Sequence, residues 1–85
     1  MTNEQILSIA QEYRQSNKNT YPFMLEHGYI RIFQGKAYGW CAEKGEAKTE
    51  RPTALIVSLS GEVFEATGGN DINGAKRWKK YNVNF

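Results

Sequence analysis

Residues 29–42 read YIRIFQGKAYGWCA. Tyr29 to Phe33 is β-branched and aromatic, the composition of a strand. Gln34-Gly35-Lys36 is a turn, and Ala37 to Ala42 is the returning strand of a hairpin. The register decides where the rings go, because a slip of one residue moves every side chain to the other face. A two-residue turn at Gln34-Gly35 pairs Arg31 with Tyr38 and Tyr29 with Trp40. It gathers Tyr29, Arg31, Phe33, Tyr38 and Trp40 on one face. A type I turn with Gly35 as the bulge residue pairs Ile30 with Tyr38 instead. Ile30, Ile32, Tyr38 and Trp40 then share a face, opposite Tyr29, Arg31 and Phe33. Type I′ turns favour Asn or Asp before Gly, so Gln34 favours the bulge register. Trp40 and Tyr38 are expected in the core.

Downstream, Glu43 to Pro52 is a polar loop whose six charges cancel, and it reads as an exposed tip. Ala54 to Ser58 is the clearest strand. Ser60-Gly61 turns the chain, pairing Val57 with Val63 and Ile56 with Phe64, and Glu62 to Thr67 is a fourth strand. Gly68-Gly69-Asn70-Asp71 breaks the chain and offers a helix N-cap. Ile72, Ala75 and Trp78 then mark one side of a closing helix over residues 71–81, against which Gly74 counts by about 1 kcal/mol of propensity.

Upstream, Thr2 and Gln5 have the spacing of a capping box, and Glu4 places negative charge in the first turn. Ile6, Ile9, Ala10 and Tyr13 continue the helical period over residues 3–16. Ser16 to Thr20 ends the helix. Tyr21 precedes a proline and is pushed toward extended geometry. Phe23, Met24 and Leu25 plug the edge of the core. The expectation is an α+β fold comprising a four-stranded antiparallel meander sheet, with N-terminal and C-terminal helices packed on one face (α-β-β-β-β-α).

The composition sets the class. Eighty-five residues make a single small domain, 1–85. With 40% hydrophobic, 24% charged and 13% aromatic residues, the chain is globular rather than disordered. Eleven Lys and Arg against nine Asp and Glu leave +2, which neither demands nor forbids a nucleic-acid partner. No apolar run approaches the roughly 20 residues of a membrane helix. The N-terminus has no basic region followed by an apolar stretch, so no signal peptide is expected. The lone Cys41 has no internal disulfide partner, which points to a reducing, cytoplasmic compartment.

The chemistry is sparse. With one histidine and one cysteine, the usual four-ligand zinc site is not expected, and neither metal nor cofactor is implied. No Gly-x-Ser-x-Gly turn marks a nucleophile for His27 to activate. Cys41 in a strand reads as a small buried residue. The carboxylates, Glu50 among them, read as solvated surface charge. Gly68 to Asp71 lacks a phosphate-loop pattern and reads as turn and cap. The main charge feature is Lys76-Arg77-Trp78-Lys79-Lys80. On the expected helix its cations form a solvated face or a patch for phosphate or an acidic protein.

Two functions follow as expectations. The first is a non-enzymatic protein-interaction module of a bacterium or mobile element, an inhibitor or adaptor of the kind phages direct against host defence. A protein partner or a second copy would bind at a sheet edge, the charged loop or the basic helix. The second is a nucleic-acid binder using Arg31, Lys76, Arg77, Lys79 and Lys80. No residue set supports an enzyme.

Overall fold

A computed structural model describes residues 2–81. The chain runs α1 (Asn3–Ser16), a 3₁₀ turn at Pro22–Leu25, β1 (Tyr29–Phe33), β2 (Lys36–Cys41), a 3₁₀ turn at Ala47–Thr49, β3 (Leu55–Ser58), β4 (Val63–Thr67) and β5 (Arg77–Lys80). One five-stranded sheet has the order β2-β1-β3-β4-β5, with every neighbouring pair antiparallel.

The α1 bounds agree with the capping box. The Thr2 hydroxyl accepts from the Gln5 N–H at 3.2 Å, and the Gln5 side chain accepts from the Thr2 N–H at 2.8 Å. Ile6 and Ala10 are buried against the sheet, with Ile9 and Tyr13 beside them. The helix packs on β1, β2 and β3. There it meets Ile30 and Ile32 of β1, Leu55 and Val57 of β3, and Val63 of β4, all on the same face by alternation.

Two parts of the expected fold need correction. Residues 71–81 do not form a helix, so among the described residues no C-terminal helix packs on the sheet. Arg77–Lys80 is instead an edge strand paired with β4. The helical spacing of Ile72, Ala75 and Trp78 is accidental, since Ile72 is 93% exposed on a loop. Gly74 at φ 82 sits in the left-handed region. Asn70 does cap a turn: its side-chain oxygen accepts from the N–H groups of Ile72 and Asn73 at 2.9 and 2.7 Å.

The sheet is also not a simple meander. β3 pairs with β1, not β2. Both β2 and β3 are antiparallel to β1 and hence parallel to each other, so residues 42–54 must cross over. They do so across the face that α1 leaves open, as a strap rather than an exposed tip. The Trp78 indole of β5 donates to the Gly45 carbonyl at 3.0 Å, and the Ala75 N–H donates to the Glu50 carbonyl at 2.9 Å. Ala47, Ala54, Ala66 and Ala75 are buried between strap and sheet, with Phe33 and Trp78 against them. Four methyl-sized side chains let the strap backbone lie close.

The first hairpin combines features of both registers. Gln34 and Gly35 have φ 51 and 81, both positive as a type I′ turn requires, and Phe33 faces Lys36. The ladder then shifts between Arg31 and Ile32, where Tyr38 is the extra residue of a bulge, and Arg31 faces Gly39. The shift returns Trp40 to the α1 face, as expected, but opposite Ile30, a pairing that neither register gave. It leaves Tyr38 on the strap face, contrary to expectation. At the other hairpin Val57 faces Val63 and Ile56 faces Phe64, as Ser60-Gly61 implied.

Candidate functional site

The basic residues of the closing segment do not form one patch. In a strand they alternate between faces. Arg77 and Lys79 face the α1 side, opposite Thr67 and Glu65 in register. Lys80 takes the other side with Trp78, and its ammonium lies 3.9 Å from the Glu62 carboxylate. Lys76 precedes the strand and packs beside Gly68. Arg31 stands apart from all four, on β1 in the inner part of the sheet. The expected helical face is thus dispersed along a sheet edge, where charged side chains also discourage pairing with other chains.

Arg31 belongs instead to a polar cluster under the strap. Its Nη2 lies 2.7 Å from a carboxylate oxygen of Glu50. The Tyr38 hydroxyl donates to the other oxygen, and the Arg31 guanidinium sits 4.9 Å from the centre of the Tyr38 ring. The two-residue turn at Gln34-Gly35, which keeps Tyr38 on the Arg31 face, and the strap create this meeting. Glu50 is only 8% exposed, which corrects its reading as solvated surface charge. Burial pushes the Tyr38 phenol up to about 12, with the Glu50 hydrogen bond and charge adding to it, so Tyr38 stays a neutral donor at ordinary pH. Burial pulls Arg31 down, but the Glu50 carboxylate and Tyr38 more than offset this and hold it above its ordinary value.

Arg31, Phe33, Lys36, Tyr38, Glu50 and Arg51 line a concavity of about 370 Å³. The Arg51 guanidinium lies 5.2 Å from the Phe33 ring centre. The returning arm of the strap is held by its backbone: the Ala54 N–H donates to the Arg51 carbonyl at 3.1 Å, and the Thr53 N–H to the Ala66 carbonyl at 2.8 Å. Thr53 has φ 77, a conformation costing about 1–3 kcal/mol in a β-branched residue.

A second concavity of about 370 Å³ lies on the helix side. Leu7 of α1, Leu25 of the 3₁₀ turn and Leu59 of the β3–β4 turn share its wall and are 36%, 39% and 50% exposed. Phe23 and Tyr21, 38% and 45% exposed, lie outside this concavity with their ring centres 5.9 Å apart, and Phe23 packs 4.8 Å from the Trp40 ring. Of the three residues expected to plug the core edge, only Met24 is buried. Beneath the groove, Arg14 is 6% exposed and donates to the carbonyls of Met24, His27 and Gly28. Burial lowers its pKa.

His27 and Cys41 do not converge. The His27 ring lies 5.3 Å from the Trp40 ring, on the α1 side. Cys41 faces Tyr29 in register, on the strap face. Burial raises its thiol pKa; the Arg31 charge opposes this and the Glu50 charge adds to it. The thiol is therefore not activated. Among the described residues, no group of three or more His, Cys, Asp or Glu is placed to hold a metal ion, and no helix is long and apolar enough to cross a membrane.

The sequence pointed to Arg31, and the disfavoured two-residue-turn register set Tyr38 opposite it, but nothing pointed to Glu50. Glu50 lay in a neutral loop, and Tyr38 was assigned to the core. The available signal was loop length: residues 42–54 are too many for a tight hairpin between neighbouring strands and suit a crossover. The leucine groove joins three distant segments and carries no local signature. Comparisons with protein-family models, with curated proteins and with solved structures found no match.

Proposed function

We propose that this protein is a non-enzymatic interaction module that docks a partner protein on the groove between α1, the Pro22–Leu25 turn and the β3–β4 turn. The observation that carries the reading is the set of exposed leucines, Leu7, Leu25 and Leu59, around one concavity. Exposed apolar side chains grouped at a concavity that Gln11, Gln15, Ser58 and Ser60 also line support an interaction site. The partner presents an apolar ridge, such as the face of an amphipathic helix. An inhibitor or adaptor encoded by a bacterium or a mobile element and acting in a cytoplasm suits a small module whose lone cysteine has no internal disulfide partner.

The nucleic-acid alternative has less support. Phosphate binding favours cations gathered on one surface, and alternation along β5 separates Arg77 and Lys79 from Lys80.

Affinity capture from host cells tests the reading with two variants. Leu7→Glu with Leu59→Glu is expected to lose a stoichiometric partner that Lys76→Glu with Lys80→Glu retains. A partner held by the leucine variant and lost by the lysine variant overturns the proposal. So does salt-dependent retention of DNA or RNA that only the lysine variant abolishes.

A further inference from the structure

We infer that the concavity between the β1–β2 hairpin and the returning arm of the strap binds a small planar organic anion, an aromatic carboxylate or an aromatic phosphate monoester. This site lies across the sheet from the leucine groove, so the two readings stand or fall separately.

The charge count is the first argument. Arg31, Lys36 and Arg51 face one carboxylate, Glu50. Both Glu50 oxygens are already engaged, one by Arg31 and one by Tyr38. Its charge is therefore spent inside the cluster. Lys36 and Arg51 have no ion-pair partner among the described residues. The concavity thus carries two uncompensated cations at its rim.

Shape and chemistry of the walls give the second argument. A volume of about 370 Å³ lies within the range of small-molecule sites. Phe33 and Tyr38 supply ring walls, and Tyr38 remains 45% exposed despite its engaged hydroxyl. A flat ligand stacks against these rings while its anionic group meets Arg51 and Lys36. Guanidinium groups bind carboxylate and phosphate alike through paired N–H donors, so both anions belong to the class.

The third argument is preorganisation. Glu50 is held at both levels, its side chain by Arg31 and Tyr38 and its carbonyl by the Ala75 N–H. The Thr53 backbone conformation and the Arg51 carbonyl bond to Ala54 fix the arm that presents Arg51. The site needs no ordering of a loop on binding.

Titration of the ¹⁵N-labelled full chain, followed by amide shifts, tests the inference. The probes are 4-hydroxybenzoate and phenyl phosphate (the aromatic monophosphate), with phenol and inorganic phosphate as controls. At least one anionic probe is expected to saturate shifts confined to Lys36–Tyr38 and Thr49–Arg51. Its affinity should fall about tenfold in Arg51→Ala and in Lys36→Ala, both at exposed positions. It should be unchanged in Lys79→Ala with Lys80→Ala. The probe that saturates identifies the anionic group. Failure of both to saturate by about 10 mM overturns the site. Inorganic phosphate binding as tightly as the monophosphate overturns the role of the rings. An equal loss in the β5 variant reduces the effect to general charge attraction and overturns the site as well.

Discussion

Gly74 packs directly on the backbone of Lys48: a Cβ added to Gly74 would fall on the Lys48 carbonyl oxygen and stand 2.7 Å from the carbonyl carbon. The next residue, Ala75, donates its N–H to Glu50. The loop before β5 and the strap thus fix each other, and through Glu50 they fix the polar cluster. Gly74→Ala incurs both the positive-φ strain and the clash, and is expected to lose about 3 kcal/mol. Gly45→Ala is the control. It also has positive φ, but nothing lies within 4 Å of the added carbon, so about 1 kcal/mol is expected. Urea denaturation of the two variants checks the difference; equal losses would refute the packing role of Gly74.

Local signals were legible and long-range ones were not. Thr2 and Gln5 marked the start of α1 because a capping box closes within one turn. Ser60-Gly61 fixed the β3–β4 register for the same reason. The strand order depends on residues 42–54 crossing a face, and their cancelling charges conceal the buried Glu50 and Ala47. In the site, Arg31 could be read as a candidate, and a two-residue turn sets Tyr38 beside it, but Gln34 argued for the other register and placed Tyr38 in the core. The segment 71–81 misled because three apolar residues at helical spacing outweighed Gly74. Its strand forms through contact with β4 and the strap.

That last difference can be measured. In a helix, Ile72 and Trp78 would lie on one side and both would matter. In the strand arrangement Ile72 is a loop tip, so Ile72→Asp is expected to change stability by less than about 0.5 kcal/mol. Trp78 is half-buried against the alanine cluster and donates to Gly45. Trp78→Ala is expected to cost about 2–3 kcal/mol. Comparable losses in the two variants would contradict the β5 strand.

Arg14 has a different role from the other cations. It is buried, and three backbone carbonyls share its guanidinium. Removing it takes the donors from all three acceptors, the buried Met24 carbonyl among them. Arg14→Met is expected to cost about 3 kcal/mol and to speed proteolysis near residues 24–28. Arg14→Lys should recover less than half, because an ammonium cannot reproduce the planar fork. Full recovery by lysine would mean that charge alone suffices.

Tyr38 links the polar cluster to pH. Its phenol lies well above the ordinary value of 10.0, at about 12, because burial and the Glu50 carboxylate both disfavour the phenolate. The folded state therefore prefers the neutral phenol more than the unfolded chain does. The sign follows from linkage: this contribution to stability is fully present below about pH 10 and is lost as pH rises toward about 12. Ultraviolet titration of the folded protein should show a phenol ionising near pH 12 that is absent from Tyr38→Phe. Glu50→Gln should bring that step down toward the ordinary range without fully restoring it, since burial remains. Stability of the wild type should fall between pH 10 and 12 more steeply than that of Tyr38→Phe. Parallel stability curves for the two proteins would show that the hydroxyl does not engage Glu50 in solution.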